Sequence, residues 1–323
     1  MAKNTNQEAK TFGDWATIAI AKHVNKFLKH EKEVLKDKDP EELHQMRVGM
    51  RRLRSAIVGF SPALNLPKEA DEKKVGKVAR TLGQLRDIDV LRDILLNQYQ
   101  PVLPKKEQKQ LDKTLEILDE QRKQAFKQVE EVLKSQLYLN LKKAFKNWLE
   151  NPTCQEIAQI SIENILPDLL LPQVGKLLLH PGWLLGIQFQ EGKIQLSDEL
   201  DKQQVEDLLN TQGTILHELR KEAKRSRYNM ELFTQFYGDS YQDYLKDITK
   251  LQTVLGDIQD GFVLANFLTE SLEEDYTHKM PNFAEKLNET RQKKWQEWQV
   301  LQHKFLNSKT RKDLHATVLK SSS

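Results

Sequence analysis

Between Glu42 and Phe60 the sequence ELHQMRVGMRRLRSAIVGF spaces a histidine and arginines by three and four residues. On a helix, His44, Arg47, Arg51 and Arg54 fall within a sector of roughly 80°. Leu43, Met46, Met50, Leu53 and Ile57 fill the adjoining sector, so one face packs beside a cationic one. Arg52 is a fourth arginine in the same stretch. A guanidinium fork holds phosphate oxygens bidentately, and a line of such groups one turn apart matches a linear polyanion better than a single small anion. From Gln45 to Ser55 the segment holds no acid. Like charges stacked at this spacing cost stability unless an anion, or acids on neighbouring helices, neutralise them.

The arrangement returns in LHELRKEAKRSRYNMELF, from Leu216 to Phe233. His44 matches His217, Arg47 Arg220, Arg51 Lys224, Arg52 Arg225 and Arg54 Arg227, each pair 173 positions apart, as 217 is from 44. Carried onward, the same offset lays VGKVARTLGQLRDIDVL from Val75 on ITKLQTVLGDIQDGFVL from Ile248, where Lys77/Lys250, Leu82/Leu255, Gly83/Gly256 and Asp87/Asp260 are identical. Two motifs holding one register across an unmatched spacer indicate an internal duplication. A weaker basic stripe accompanies them: Lys73, Lys77 and Arg80 in the first copy, Lys246 and Lys250 in the second, with Lys22 and Lys221 as further candidates. His44 and His217 carry either a charge that switches near neutral pH or a buried hydrogen bond.

These residues need helices to position them. Gly and Pro are scarce, Lys, Gln, Glu and Leu abound, and no sustained alternation of β-branched residues appears, so the expected fold is all-α. The periodicity predicts a first helix from about Asn6 to Lys36, the basic helix entered at Pro40, a third from Lys68 to Leu85 and a fourth from Asp87 to Tyr99, with Gly83 close to their junction. Helices over Lys105–Lys134 and Tyr138–Leu149 follow. Asn151-Pro152 predicts the boundary between two repeats, residues 1–151 and 152–323, as two pseudosymmetric bundles facing each other around a cationic channel. The second repeat is expected to hold an apolar helix from Gln155, then a helical hairpin in preference to strands, although QFQEGKIQL could pair. The basic helix Val205–Phe236, helices over Ser240–Leu255 and Asp257–Leu272, a terminal helix Asn282–Leu306 and a frayed LKSSS end complete it.

Fifty basic residues against 47 acidic ones leave a net charge of +3, too small to name a partner, so local arrangement must. One cysteine, Cys154, excludes an intramolecular disulfide and a thiolate metal cluster. No signal-like segment opens the chain, and the greasiest stretch, Ile165 to Leu185, is interrupted by Pro167, Pro172, Lys176 and Pro181, so a cytoplasmic protein without a membrane span is expected.

HQMRVGMRRLRSAI and HELRKEAKRSRYNMELF, each followed by an LG segment ending in Asp (LGQLRDIDVL, LGDIQD), resemble the two signature blocks of the conserved histidine α-helical domain, the CHAD family. The resemblance covers essentially the whole chain. It implies two pseudosymmetric helical bundles around a central basic groove, binding of long-chain inorganic polyphosphate, and association of some members with polyphosphate granules. The implied positions are His44, Arg47, Arg51, Arg54, His217, Arg220, Lys224 and Arg227; the second Asp of RDIDVL is not repeated, since Phe262 stands opposite Asp89.

Other classes fit less well. Family relatives are often fused to a triphosphate tunnel hydrolase, which needs strands and an alternating Glu-x-Glu-x-Lys; the nearest string, Glu31 to Leu35, has Leu in place of Lys. No catalysis is therefore expected, and the alternatives are a helical protein that binds nucleic acid through its backbone only, or an accessory subunit of a phosphate-metabolising enzyme. Glu41 and His44 have a metal-site spacing, but Thr214 replaces the acid in the second copy and the arginines would repel a cation, so neither metal nor cofactor is expected. Asp87 and Asp260 read as a helix cap or a brace for a neighbouring arginine. Nucleic acid would bind only through its backbone, weakly, because no aromatics interleave the basic stripe. An inert scaffold leaves the repeated cations unexplained.

Overall fold

Thr11 opens the first helix with a capping box: its hydroxyl accepts from the Asp14 amide and the Asp14 carboxylate accepts from the Thr11 amide. In this computed structural model, which describes residues 9–191, 193–195 and 200–320, that helix is α1, Phe12–Val34. Asp39 caps α2, Pro40–Gly59, by accepting from the Glu41 amide at 2.8 Å, and Pro40 supplies the first turn. There follow α3 (Glu72–Ile94), α4 (Lys105–Lys134), α5 (Gln136–Glu150) and α6 (Ile162–Leu178). A two-stranded hairpin, β1 (Gln188–Gln190) and β2 (Lys193–Gln195), precedes α7 (Lys202–Glu231), α8 (Asp239–Leu272), α9 (Tyr276–Lys279), α10 (Pro281–Leu306) and α11 (Ser308–Leu319).

The chain divides into two compact units: Met1–Val90 with Glu120–Pro167, and Leu91–Asp119 with Asp168–Ser323. In the first, α1 and α2 pack face to face. Met46, Met50 and Leu53 of α2 are fully buried, and Phe12 meets Phe60 with ring centroids 5.7 Å apart. Gly49 makes this packing possible, since a Cβ there would stand 2.9 Å from the Phe27 backbone nitrogen. Arg122 locks the α1–α2 turn: it donates to both oxygens of Asp37 at 2.7 Å, and through Nε to buried Asp89 of α3 at 2.8 Å. Burial raises the Asp89 pKa against that pairing. Asp89 is thus a brace within this unit.

In the second unit, α7, α8 and α10 surround buried Trp295, Trp298 and Phe305. Glu107 explains why the first turns of α4 belong here: its buried carboxylate accepts from the Asn282 and Phe283 amides at 3.1 and 3.0 Å, capping α10. Tyr99 stacks near Phe283, centroids 4.3 Å apart.

Several expectations need correction. The predicted breaks near Gly83 and between Leu255 and Asp257 do not occur; α3 and α8 run straight through both glycines. QFQEGKIQL pairs as a hairpin, with Phe189 opposite Ile194, where a helical hairpin was expected. The apolar helix begins at Ile162 and not near Gln155, and continues through Pro172. The terminal helix is followed by another, α11, begun by the Asn307 side chain and anchored by buried Leu314 and Val318. The expected start near Asn6, Gly192 of the expected turn and the last three residues lie outside the described residues.

Alanine has a higher helix propensity than glycine by about 1 kcal/mol, yet Gly49→Ala should destabilise the protein by about 1–3 kcal/mol, because a methyl there forces α1 from α2. Urea unfolding of the variant checks this; a gain in stability would contradict the close approach.

Candidate polyanion-binding site

The glycines that do not break α3 serve as seats. Arg47 of α2 lies across Gly83, where a Cβ would come within 3.4 Å of Nε, and its Nη2 donates to exposed Asp87 at 3.1 Å. Arg54 lies across Gly76, where a Cβ would come within 3.2 Å of Cζ, and its Nε donates to Glu72 at 2.6 Å. The two arginines are seven residues apart and so are the two glycines, in opposite order along antiparallel helices. Each glycine costs α3 about 1 kcal/mol relative to alanine. In return, two guanidinium groups come close against the neighbouring helix, where Asp87 and Glu72 take a hydrogen bond from each. Asp87 is therefore an arginine brace.

The second unit repeats half of this. Arg220 of α7 lies across Gly256 of α8, with a would-be Cβ 3.3 Å from Nε, and that buried Nε has no hydrogen-bond partner among the described residues. Arg227 has no glycine opposite it; its Nε donates to Glu231 of its own helix at 2.8 Å and its Nη1 to Gln252 of α8 at 3.3 Å. Arg225 pairs with Glu222 at 2.8 Å, Lys221 with Glu218, and Lys246 with Asp243 at 2.9 Å. Lys250 is exposed on α8, and Lys224 is half-buried on α7.

Around Arg47 and Arg54 the first unit gathers more charge. Lys73, Lys77 and Arg80 are exposed along α3. His44 and Arg51 are half-buried in α2. The His44 pKa is lowered, first by burial and then, against the opposing pull of Glu41, by Arg86, Arg51 and Arg47. Arg86 was missed by sequence reasoning, although it stands one turn beyond Gly83. Arg52 points elsewhere. With Lys22 and Lys26 of α1 it surrounds His23, whose buried imidazole is held down to about 4 by desolvation first and by these three cations next. Lys26, one turn from Lys22, was also missed. Burial and Arg52 lower its pKa in turn. Among the predicted site residues, Arg47 and Arg54 of the stripe meet α3, while Arg52, outside the stripe, joins a cationic edge with α1.

Among the described residues no helix is long and apolar enough to cross a membrane. Fold and site together define an all-α protein that presents basic helices braced on glycine-bearing partners. The chain belongs to the CHAD domain family, whose model matches residues 18–269. It is similar to the crystal structure of the CHAD domain from the plant Ricinus communis, with 22% identity, a TM-score of 0.58, and coverage of 98% of this chain and 95% of that one. It is also similar to PptA from Streptomyces chartreusis, with 15% identity, a TM-score of 0.63, and coverage of 92% and 98%. At these identities the likeness speaks for the fold. None of the curated proteins matches the chain.

Because folded His23 binds its proton more weakly than the unfolded chain does, its contribution to stability is complete above pH 6.5 and is lost as pH falls toward about 4. Between pH 7 and pH 4.5 the wild type should lose about 2–3 kcal/mol more than His23→Gln. Urea titrations at the two pH values measure the difference; parallel losses would place His23 in a hydrated setting.

Proposed function

We propose that the chain binds long-chain inorganic polyphosphate and performs no chemistry of its own, acting in the cytoplasm in association with polyphosphate granules. The observation that carries this reading is the pair of arginines seated against Gly83 and Gly76 with exposed Lys73, Lys77 and Arg80 alongside. Guanidinium groups fixed about two helical turns apart, with more cations along the same helix, suit an anion that repeats its charge along a line. Such a ligand contributes through charge-assisted hydrogen bonds and through release of its condensed counterions. Binding through neutral groups would leave the glycine seats without a purpose.

The reading retains an internal duplication, residues 1–151 and 152–323, with each repeat contributing a basic helix: His44, Arg47, Arg51, Arg52 and Arg54 from one, and His217, Arg220, Lys224, Arg225 and Arg227 from the other. That both helices line one central groove is supplied by the family resemblance and not by the geometry within either unit. Nucleic acid is a weaker ligand in this account, since it spreads its charges further apart and offers bases that no aromatic row receives.

The test is a titration of the purified chain with long-chain polyphosphate, orthophosphate and single-stranded DNA at two salt concentrations. Polyphosphate should bind tightest and weaken with salt. Exchanging one glycine-seated arginine in each unit, Arg47→Gln with Arg220→Gln, should weaken binding about 100-fold or more, from two charge-assisted hydrogen bonds at about 1.5–3 kcal/mol each, with an unchanged circular dichroism spectrum. DNA binding as tight as polyphosphate, or full polyphosphate binding by the folded double variant, would refute the proposal.

A further inference from the structure

The two units are equal in cations and unequal in acids. Residues of the first unit include 25 Lys and Arg against 19 Asp and Glu, and those of the second 25 against 28. The difference concentrates on the helices that carry the repeated motifs. Six basic residues face four acidic ones along α3, whereas α8 has two basic and six acidic. At the shared offset, Lys74 is replaced by Asp247, Arg80 by Thr253 and Arg86 by Gln259. On the partner helix, Gln45, Gly49 and Val58 of α2 become Glu218, Glu222 and Glu231 of α7. Each of these three acids is ion-paired to a cation of its own helix: Glu218 to Lys221, Glu222 to Arg225 and Glu231 to Arg227.

A cation held by an acid one turn away on the same helix must give up or share that partner before it can serve a ligand. The field of the pair also falls off as that of a dipole. In the first unit Asp87 and Glu72 of α3 take Arg47 and Arg54, while Lys73, Lys77 and Arg80 stand exposed and α1 adds Lys22 and Lys26. We infer that the first unit is the principal polyphosphate-binding surface and the second a subordinate one, so that the repeated basic helices share the ligand unequally. This rests on the polyphosphate reading above and adds to it where on the chain the affinity resides.

A matched pair of variants tests the asymmetry. Lys73→Glu with Lys77→Glu alters the first unit, and Lys246→Glu with Lys250→Glu alters the same repeat positions of the second; all four side chains are exposed, and each variant makes the same change in charge. Each full-length variant is titrated with long-chain polyphosphate at two salt concentrations and compared with wild type, folding being followed by circular dichroism. The first variant should weaken binding about tenfold or more and flatten the salt dependence by about two counterions, and the second should weaken it no more than about threefold. The milder pairs, with Gln in place of Glu, should rank in the same order. Equal losses, a larger loss in the second variant, or wild-type binding that neither variant disturbs would overturn the asymmetry while leaving polyphosphate binding intact. Wild-type protein that ignores polyphosphate would instead remove the functional reading, and the asymmetry with it.

Discussion

The constraint behind the rest of the structure is that a helix crowded with arginines must also pack. A guanidinium is large, planar and charged, so it can neither be buried among leucines nor left to swing freely if it is to meet a ligand in a fixed pose. Here the neighbouring helix gives way. Gly83 and Gly76 omit the side chains that would stand where Arg47 and Arg54 lie, and Asp87 and Glu72 take one edge of each guanidinium. The apolar stripe of α2 remains free to bury Met46, Met50 and Leu53 against its own core. One helix therefore meets two demands, packing on one side and a preorganised cationic face on the next.

The same device appears in the second unit in reduced form. Arg220 keeps its glycine, but Arg227 turns to Glu231 and Gln252, and the helix around it supplies its own acids. One sequence motif can thus be held in two ways, by acids of the neighbouring helix in the first unit and by acids of its own helix in the second. The likeness in fold to two solved structures at 22% and 15% identity extends over nearly the whole chain.

Much of the fold was legible because long helices with capped ends carry their own signals. The bounds of α4 follow from Pro104 and an uninterrupted polar periodicity, and the start of α2 from Asp39 and Pro40. The basic face was legible from spacing alone. The missed continuity of α3 and α8 has one cause: glycine reads as local punctuation, whereas Gly83 and Gly256 answer to a side chain on another helix. A signal was available, since glycines and arginines recur at one offset and the spacing between Gly76 and Gly83 equals that between Arg47 and Arg54. Arg52 went astray for a simpler reason: it lies outside the sector of the other cations, and only tertiary packing reveals that it meets Lys22, Lys26 and buried His23. The buried Glu107 cap on α10 joins residues 175 positions apart and leaves no periodic trace.

The central claim is that fixed arginines on α2 grip a linear polyanion, and a crystal structure of the chain soaked with polyphosphate addresses it most directly. The account requires phosphate oxygens within about 3 Å of the Arg47 and Arg54 guanidinium groups, with the chain continuing toward Lys73 or Lys77 of α3. Polyphosphate density seated away from both arginines, with Arg47 and Arg54 still closed on Asp87 and Glu72, would show that the glycine-seated arginines serve the fold and not the ligand.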